Sequence, residues 1–160
     1  MKNIIIIELE KYHHEIVYCH LISNINIKKN IFIYCNYISD YYIENKYKIT
    51  FKKLIFSIIK DEYEYIFNTI EKPLQAILFI ILKIFKKDVS ITIHNPDVFI
   101  NTGNKVKFKK MLYRFVFSKY ILNKTNNIYL LSDRTTKILK NYNFNNKIKL
   151  LNTNVLNNLV

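Results

Sequence analysis

The sequence predicts a doubly wound α/β fold, in which a mainly parallel β-sheet is flanked by helices. Two observations carry this prediction. Short β-branched or aromatic runs alternate along the 160-residue chain with longer segments in which apolar residues recur every three or four positions. No repeat or linker interrupts the alternation, and the length fits a single domain over residues 1–160. Strands that alternate with helices are joined by right-handed crossovers, which make the strands parallel.

The predicted strands are short runs rich in isoleucine, valine and aromatic residues, bounded by polar residues. Residues 4–7 are four consecutive isoleucines, a pattern typical of a strand buried on both faces of a parallel sheet. The strand side chains that we expect to be buried are Ile5, Ile7, Phe32, Ile66, Ile91 and Ile93. In chain order, the predicted strands cover residues 4–7, 30–36, 48–50, 63–70, 89–93, 127–131 and 147–151.

The predicted helices lie between these strands and carry apolar residues at three- and four-residue spacing. Pro73 stands at a first helical position, where its missing N–H leaves no helical hydrogen bond unmade. Within residues 51–60 the apolar spacing is kept by Phe51, Leu54, Ile55, Ile58 and Ile59. In chain order, the predicted helices are a segment with Val17, Leu21 and Ile25, and then residues 51–60, 74–87, 107–122 and 133–140.

The glycine and cysteine contents exclude several kinds of site. Gly103 is the only glycine, which rules out a P-loop and a G-x-G-x-x-G dinucleotide turn, because both need several glycines. Cys19 and Cys35 form no C-x-x-C pair and indicate free thiols in a reducing compartment. His13 and His20 cannot share a zinc ion on one helix, because seven residues span about 10 Å along its axis. We therefore predict neither a metal nor a cofactor.

The N-terminal sequence and the hydropathy predict a cytoplasmic protein. The apolar run after Met1 meets Glu8 and Glu10 too soon for a signal peptide. The most hydrophobic window, residues 74–82, is nine residues long, whereas a membrane-spanning helix needs about 20 apolar residues.

Polar residues follow several predicted strands, at the carboxyl edge where ligands bind in open parallel sheets. For each residue, a helix-cap or turn role competes with a ligand-binding role. For His94, which ends a strand beside a Pro-Asp turn, the two roles are evenly balanced. No catalytic residue can be assigned. The candidate substrate-binding residues are His13, His14, Glu15, Asn68, Thr69, His94, Asn95 and Ser132.

The order of several motifs resembles a known family. YIFNTI (residues 65–70) is followed by a proline-led helix, and VSITIHN (residues 89–95) by a basic helix; IYLLS (residues 128–132) then heads a short helix. This order is similar to that of the N-terminal, acceptor-binding, Rossmann-like domain of GT-B glycosyltransferases that build bacterial surface polysaccharides. The resemblance implies transfer of a sugar from a nucleotide-sugar to a glycan or lipid-linked acceptor, without a protein-held metal.

The same resemblance implies roles for individual residues. His94 matches a histidine that faces the cleft, while Asn68, Thr69 and Ser132 match polar strand ends. Many relatives have a glycine-rich turn after the first strand; here the segment is ELEKYHHE (residues 8–15), so His13, His14 and Glu15 are assigned to the acceptor instead. The donor-binding domain of the family has no counterpart in the chain, so we expect a truncated or split product that is inactive alone.

The net charge of +13 allows three interpretations. Tyrosine and phenylalanine beside lysine suit nucleic acid, but lysine outnumbers arginine 23 to 2, and arginine is the better residue for base and phosphate contacts. A membrane-surface face on helix 107–122 would use Lys107, Lys110 and Arg114. The third interpretation is a solvated surface of biased composition, because lysine codons are A/T-rich. The alternative to a peripheral membrane glycosyltransferase is therefore a non-enzymatic basic module that binds nucleic acid or an anionic membrane.

Overall fold

A computed structural model of the chain describes residues 2–9, 30–35, 48–68, 70, 73–93, 120–130 and 148–150. Within these ranges, six strands form one sheet in which every neighbouring pair is parallel. The elements are β1 (Asn3–Glu8), β2 (Ile31–Cys35), α1 (Phe51–Ile59), β3 (Tyr63–Phe67), α2 (Pro73–Ile84), β4 (Asp88–Ile93), α3 (Leu122–Lys124), β5 (Ile128–Leu130) and β6 (Ile148–Leu150).

The strand order in the sheet is β2-β1-β3-β4-β5-β6. The chain therefore moves from β1 to β2 in one direction and returns to the other side of β1 with β3. Beside β2, Lys48 forms a parallel bridge with Ile33, and the Ile49 N–H donates to the Ile33 carbonyl at 2.9 Å, so the predicted short strand at residues 48–50 contributes one bridge. The predicted α/β fold with a parallel sheet is confirmed. Its topological switch point lies between β1 and β3, where ligands bind in this class of sheet.

Burial of the central strands follows their apolar composition. The four isoleucines of β1 are at most 1% exposed, as expected for a strand covered on both faces. The predicted burial is confirmed for all the chosen residues except Phe32, which is only partly buried. Phe32 lies on β2, outside the centre of the sheet, where its ring meets Tyr63 edge-on and the Lys53 ammonium lies 4.9 Å from its centroid.

In the described part of the chain, α1 and α2 pack on one side of the sheet, which we call the helix-packed face, and Leu122 of α3 belongs to the same core. Its largest buried side chains are Tyr65 and Phe67 from β3, with Leu54 from α1 and Phe79 from α2. The Phe67 and Phe79 rings are 6.1 Å apart in a tilted arrangement. Strand residues between these positions point to the other side, the opposite face.

Helix α1 begins after Thr50, whose hydroxyl accepts from the Lys53 N–H at 3.3 Å. Only part of its predicted apolar stripe is buried. Leu54 and Ile58 face the sheet. In contrast, Phe51 is 59% exposed and Ile59 is 73% exposed, and Ile55 is also exposed, though less than these two.

Helix α2 begins at Pro73 as predicted and ends at Ile84, earlier than the predicted Lys87. The chain turns because Lys86 adopts a left-handed conformation with φ 54°. The Lys86 N–H donates to the Lys83 carbonyl at 3.0 Å, and the Lys87 N–H donates to the Leu82 carbonyl at 2.9 Å. This pair of bonds is the usual way in which a left-handed residue closes a helix.

Charged groups tie the amino edge of the sheet together. Lys2, just before β1, donates to the Asp88 carboxylate of β4 at 2.5 Å, and Asn126 donates to the other oxygen at 3.1 Å. Lys83 of α2 in turn donates to the Asn126 side-chain oxygen at 3.0 Å. The hydrogen bond from Lys2 lowers the pKa of Asp88. These partners join separate elements to one another, so this cluster serves the fold.

Candidate functional site

The candidate site begins with a hydrogen bond across the switch point of the sheet. Glu8 is the last residue of β1, and Asn68 directly follows β3. The Asn68 amide donates to the Glu8 carboxylate at 2.6 Å, and both residues are 0% exposed. The Asn68 N–H also donates to the Ile7 carbonyl at 3.1 Å, which holds the two strands in register up to this point.

The parallel register extends this pair into a line of polar residues on the opposite face. Cys35 is the β2 partner of Glu8, and Tyr129 is the β5 partner of Thr92. Phe67 pairs with Ile91, so continuing that register by one residue places Asn68 beside Thr92. We call this line the polar row; in sheet order it consists of Cys35, Glu8, Asn68, Thr92 and Tyr129.

Thr92 is distinctive within the polar row. It is 2% exposed, and its hydroxyl has no hydrogen-bond partner within the described part of the chain. A buried hydroxyl without a partner costs about 1–3 kcal/mol, and native proteins contain few of them.

Strand alternation explains why this hydroxyl faces away from the core. In β4, Val89, Ile91 and Ile93 belong to the helix-packed core. Ser90 and Thr92 lie between them and therefore point to the opposite face. Both are buried, at 7% and 2% exposure, so β4 is covered on both sides while its two sides differ in chemistry.

Hydrogen bonds fix the neighbourhood of Tyr129. Burial raises the pKa of the Tyr129 phenol, and a hydrogen bond with Ser90 opposes part of that effect. The Ser90 hydroxyl also accepts from the Asn127 amide at 3.2 Å. Tyr129 is therefore a neutral phenol at physiological pH, and its hydroxyl is bonded to Ser90, two residues before Thr92 on β4.

The polar row combines three kinds of hydrogen-bonding group, and its members Glu8, Asn68 and Thr92 are at most 2% exposed. Glu8 supplies carboxylate oxygens, Asn68 both an amide donor and an acceptor, and Thr92 a hydroxyl that can donate or accept. Across the described ranges, no group of three histidine, cysteine, aspartate or glutamate residues is arranged to hold a metal ion.

Of the residues selected from the sequence, Asn68 is the one that the structure describes, and it lies in the polar row. The other predicted substrate-binding residues, His13, His14, Glu15, Thr69, His94, Asn95 and Ser132, lie outside the described residues. So do Lys107, Lys110 and Arg114, the predicted membrane-surface residues.

Sequence reasoning missed Glu8 and Thr92 as members of the site. A signal for Glu8 was present, because it is an acidic residue that directly extends the buried isoleucine run. Thr92 follows from strand alternation once β4 is assigned, since it must face away from Ile91 and Ile93. Their proximity to Asn68 depends on the order and register of the strands, which no local pattern reveals.

The structure was searched for membrane-spanning helices, and the chain was compared with known proteins. Within the described ranges, no helix is both long and apolar enough to cross a membrane. The chain matches no family model, no curated protein and no solved structure.

Proposed function

We propose that the chain is the acceptor-binding domain of a glycosyltransferase. It would hold a glycan or lipid-linked acceptor while a donor-binding domain or partner chain supplies the nucleotide-sugar. Three features support the proposal: the resemblance of the strand and helix motifs, the parallel sheet with its order reversal, and the polar row at the carboxyl edge. The proposed location is the cytoplasm, at the inner face of the cell membrane where lipid-linked acceptors are found.

The proposal rests on the buried Thr92 hydroxyl and on the Glu8–Asn68 pair, which lies beside Thr92 when the register of β3 and β4 is continued by one residue. A sugar hydroxyl can both donate and accept a hydrogen bond, so it matches the Thr92 hydroxyl. A ligand hydroxyl that bonds to Thr92 would remove the cost of the unmatched group. In this proposal the row positions the acceptor, and the catalytic groups lie elsewhere in the completed enzyme.

The test is ligand-observed NMR on the 160-residue chain with a panel of mono- and disaccharides and of nucleotide-sugars. We expect a subset of the saccharides to bind and to show no transfer from any nucleotide-sugar. Thr92→Val keeps the shape of the side chain and removes the hydroxyl, so it should weaken saccharide binding about tenfold.

Thr125→Val is the matched control. Thr125 is also 2% exposed, but its hydroxyl donates to the Val89 carbonyl at 3.0 Å, at the amino edge of the sheet. The control should bind saccharides like the unchanged chain. Equal binding by the Thr92→Val chain, or a panel without any binder, would contradict the proposed site. Salt-sensitive retention of RNA or DNA without saccharide binding would favour the non-enzymatic basic module.

A further inference from the structure

The outer sides of α1 and α2 expose many large apolar side chains, although both helices pack on the sheet through their inner sides. Their exposed fractions range from 37% to 73%. Isolated exposed apolar residues are common on proteins, whereas larger exposed apolar patches mark interaction surfaces. We call this group the outer helical surface; it consists of Phe51, Ile55, Phe56, Ile59, Leu74, Ile77, Ile81, Ile84 and Phe85.

The segments that follow the two helices are linked by one side-chain hydrogen bond. The Lys87 ammonium, just after α2, donates to the carbonyl of Lys60, which ends α1, at 2.8 Å. Ile59 on α1 and Ile84 on α2 are the most exposed of the apolar residues at the ends of these helices, at 73% and 69%.

The charges on this surface have one sign. Neither α1 nor α2 contains an acidic residue. Lys52, Lys53, Lys60 and Lys86 are exposed on or directly after the helices. The nearest acidic group in sequence, Asp61, is paired with Lys87 at 2.5 Å. The two helices therefore combine exposed apolar side chains with exposed lysines.

We infer that the outer helical surface docks on an anionic lipid bilayer. Apolar side chains that enter the boundary between headgroups and acyl chains, with lysines near lipid phosphates, are the features of helices that lie on membranes. A second copy of the chain is a poorer partner, because pairing two such surfaces brings like charges together. The inference concerns different residues from the polar row and does not depend on the proposed glycosyltransferase function.

The experiment is co-sedimentation of the full chain with vesicles of phosphatidylcholine, with or without phosphatidylglycerol. We expect binding to the anionic vesicles, weakened by salt and nearly absent with phosphatidylcholine alone. Ile59→Ser combined with Ile84→Ser should lower the partition coefficient about thirtyfold, because two exposed side chains lose their apolar burial in lipid. Lys52→Gln, Lys60→Gln and Lys86→Gln should each lower it about fivefold.

Two matched controls lie on β6. Leu150 is 53% exposed and Lys149 is also exposed, yet neither is on α1 or α2. Leu150→Ser and Lys149→Gln should partition like the unchanged chain. Since every substituted residue is exposed, the urea unfolding midpoints should stay within the range of neutral surface changes, which confirms that each variant is folded.

Three results would overturn the inference. The first is failure of the unchanged chain to bind the anionic vesicles. The second is equal binding by the Ile59→Ser, Ile84→Ser double variant. The third is a dimer in sedimentation equilibrium that this double variant dissociates, which would assign the surface to a second copy of the chain.

Discussion

The helix-packed face and the opposite face of the sheet are both buried, but they differ in chemistry. Under α1 and α2 the strands contribute mainly apolar side chains, and the hydroxyl of the fully buried Tyr65 is hydrogen-bonded to Ser57 at 2.9 Å. On the opposite face the strands contribute Glu8 and Thr92 as well as isoleucines, and the Thr92 hydroxyl lacks a partner within the described ranges.

The two faces therefore differ in how their buried polar groups affect stability. A face whose polar groups are all matched stabilises the fold through apolar burial. A buried hydroxyl without a partner lowers the stability of the face that contains it. The following predictions test this division, beginning with the largest expected effect.

The largest effect is expected on the helix-packed face, at Phe79. Its side chain is 0% exposed and lies against Phe67. Phe79→Ala leaves a cavity and should lower the free energy of unfolding by about 3–5 kcal/mol in urea titrations. Ile77, on the outer side of the same helix, is 53% exposed; Ile77→Ala is the control and should change stability far less. Similar losses for both variants would mean that α2 is not held by its inner side.

The second prediction concerns alkaline pH and the matched hydroxyl of the helix-packed face. Burial raises the pKa of Tyr65 from its usual 10.0 to about 12, and the hydrogen bond with Ser57 opposes part of that rise. Between these two pH values the unfolded chain loses the phenolic proton and the folded chain keeps it. The contribution of Tyr65 to the free energy of unfolding is therefore complete below pH 10, and it should fall by about 2–3 kcal/mol as the pH rises to 12.

Tyr65→Phe isolates this contribution, because it removes the titrating group and keeps the ring. At neutral pH the variant should lose about 1 kcal/mol, since the Ser57 hydroxyl still donates to the Leu54 carbonyl at 2.6 Å. Urea titrations at pH 8, 10 and 11.5 should then show a smaller alkaline loss for the variant than for the unchanged chain. An identical alkaline loss in both proteins would assign the effect to other groups.

A third prediction measures the bond that crosses the switch point. A double-mutant cycle with Glu8→Ala and Asn68→Ala should give a coupling energy of about 1–3 kcal/mol, because the two residues share a short buried hydrogen bond. Asn68→Ala combined with Thr125→Val is the control cycle, since Thr125 lies at the opposite edge of the sheet, and its effects should be additive. A coupling near zero for Glu8 and Asn68 would show that other contacts hold the two strand ends.

The strands were predictable from local sequence, because burial on both faces demands continuous apolar runs such as residues 4–7. Helix α2 was predictable for its first residue but not its last, because Lys86 adopts the left-handed conformation that glycine or asparagine usually supplies. The partial exposure of Phe32 was not predictable, because it depends on where β2 lies in the sheet.

The candidate site was predictable only in part. Asn68 follows an obvious strand, so the sequence identified it as a residue of the carboxyl edge. Its partner Glu8 is 60 residues away in the chain, and Thr92 joins them through a second strand pairing. The apolar pattern of a strand determines which face of the sheet each side chain occupies. The pairing of strands determines which polar residues become neighbours, and this pairing depends on residues throughout the chain.

The smallest effect is the most direct test of the comparison between the faces. Thr92 and Thr125 are equally buried threonines at opposite edges of the sheet. The Thr92 hydroxyl has no partner among the described residues, whereas the Thr125 hydroxyl donates to the Val89 carbonyl. Valine matches the shape of threonine at both positions, so the change in stability reports the hydroxyl alone. Thr92→Val should raise the free energy of unfolding by about 1 kcal/mol, because an unmatched polar group leaves the interior.

Thr125→Val should instead lower the free energy of unfolding, by about 1 kcal/mol. The loss should stay near that value because the Val89 carbonyl keeps a second donor, the Asn126 N–H at 2.7 Å. Urea titrations of the two variants in the same buffer provide the measurement. If both substitutions destabilise the chain to the same extent, the Thr92 hydroxyl has a partner in the folded protein, and the opposite face is as fully matched as the helix-packed face. Opposite signs would mean that the fold bears a cost at Thr92, at the place in the sheet where a ligand hydroxyl would relieve it.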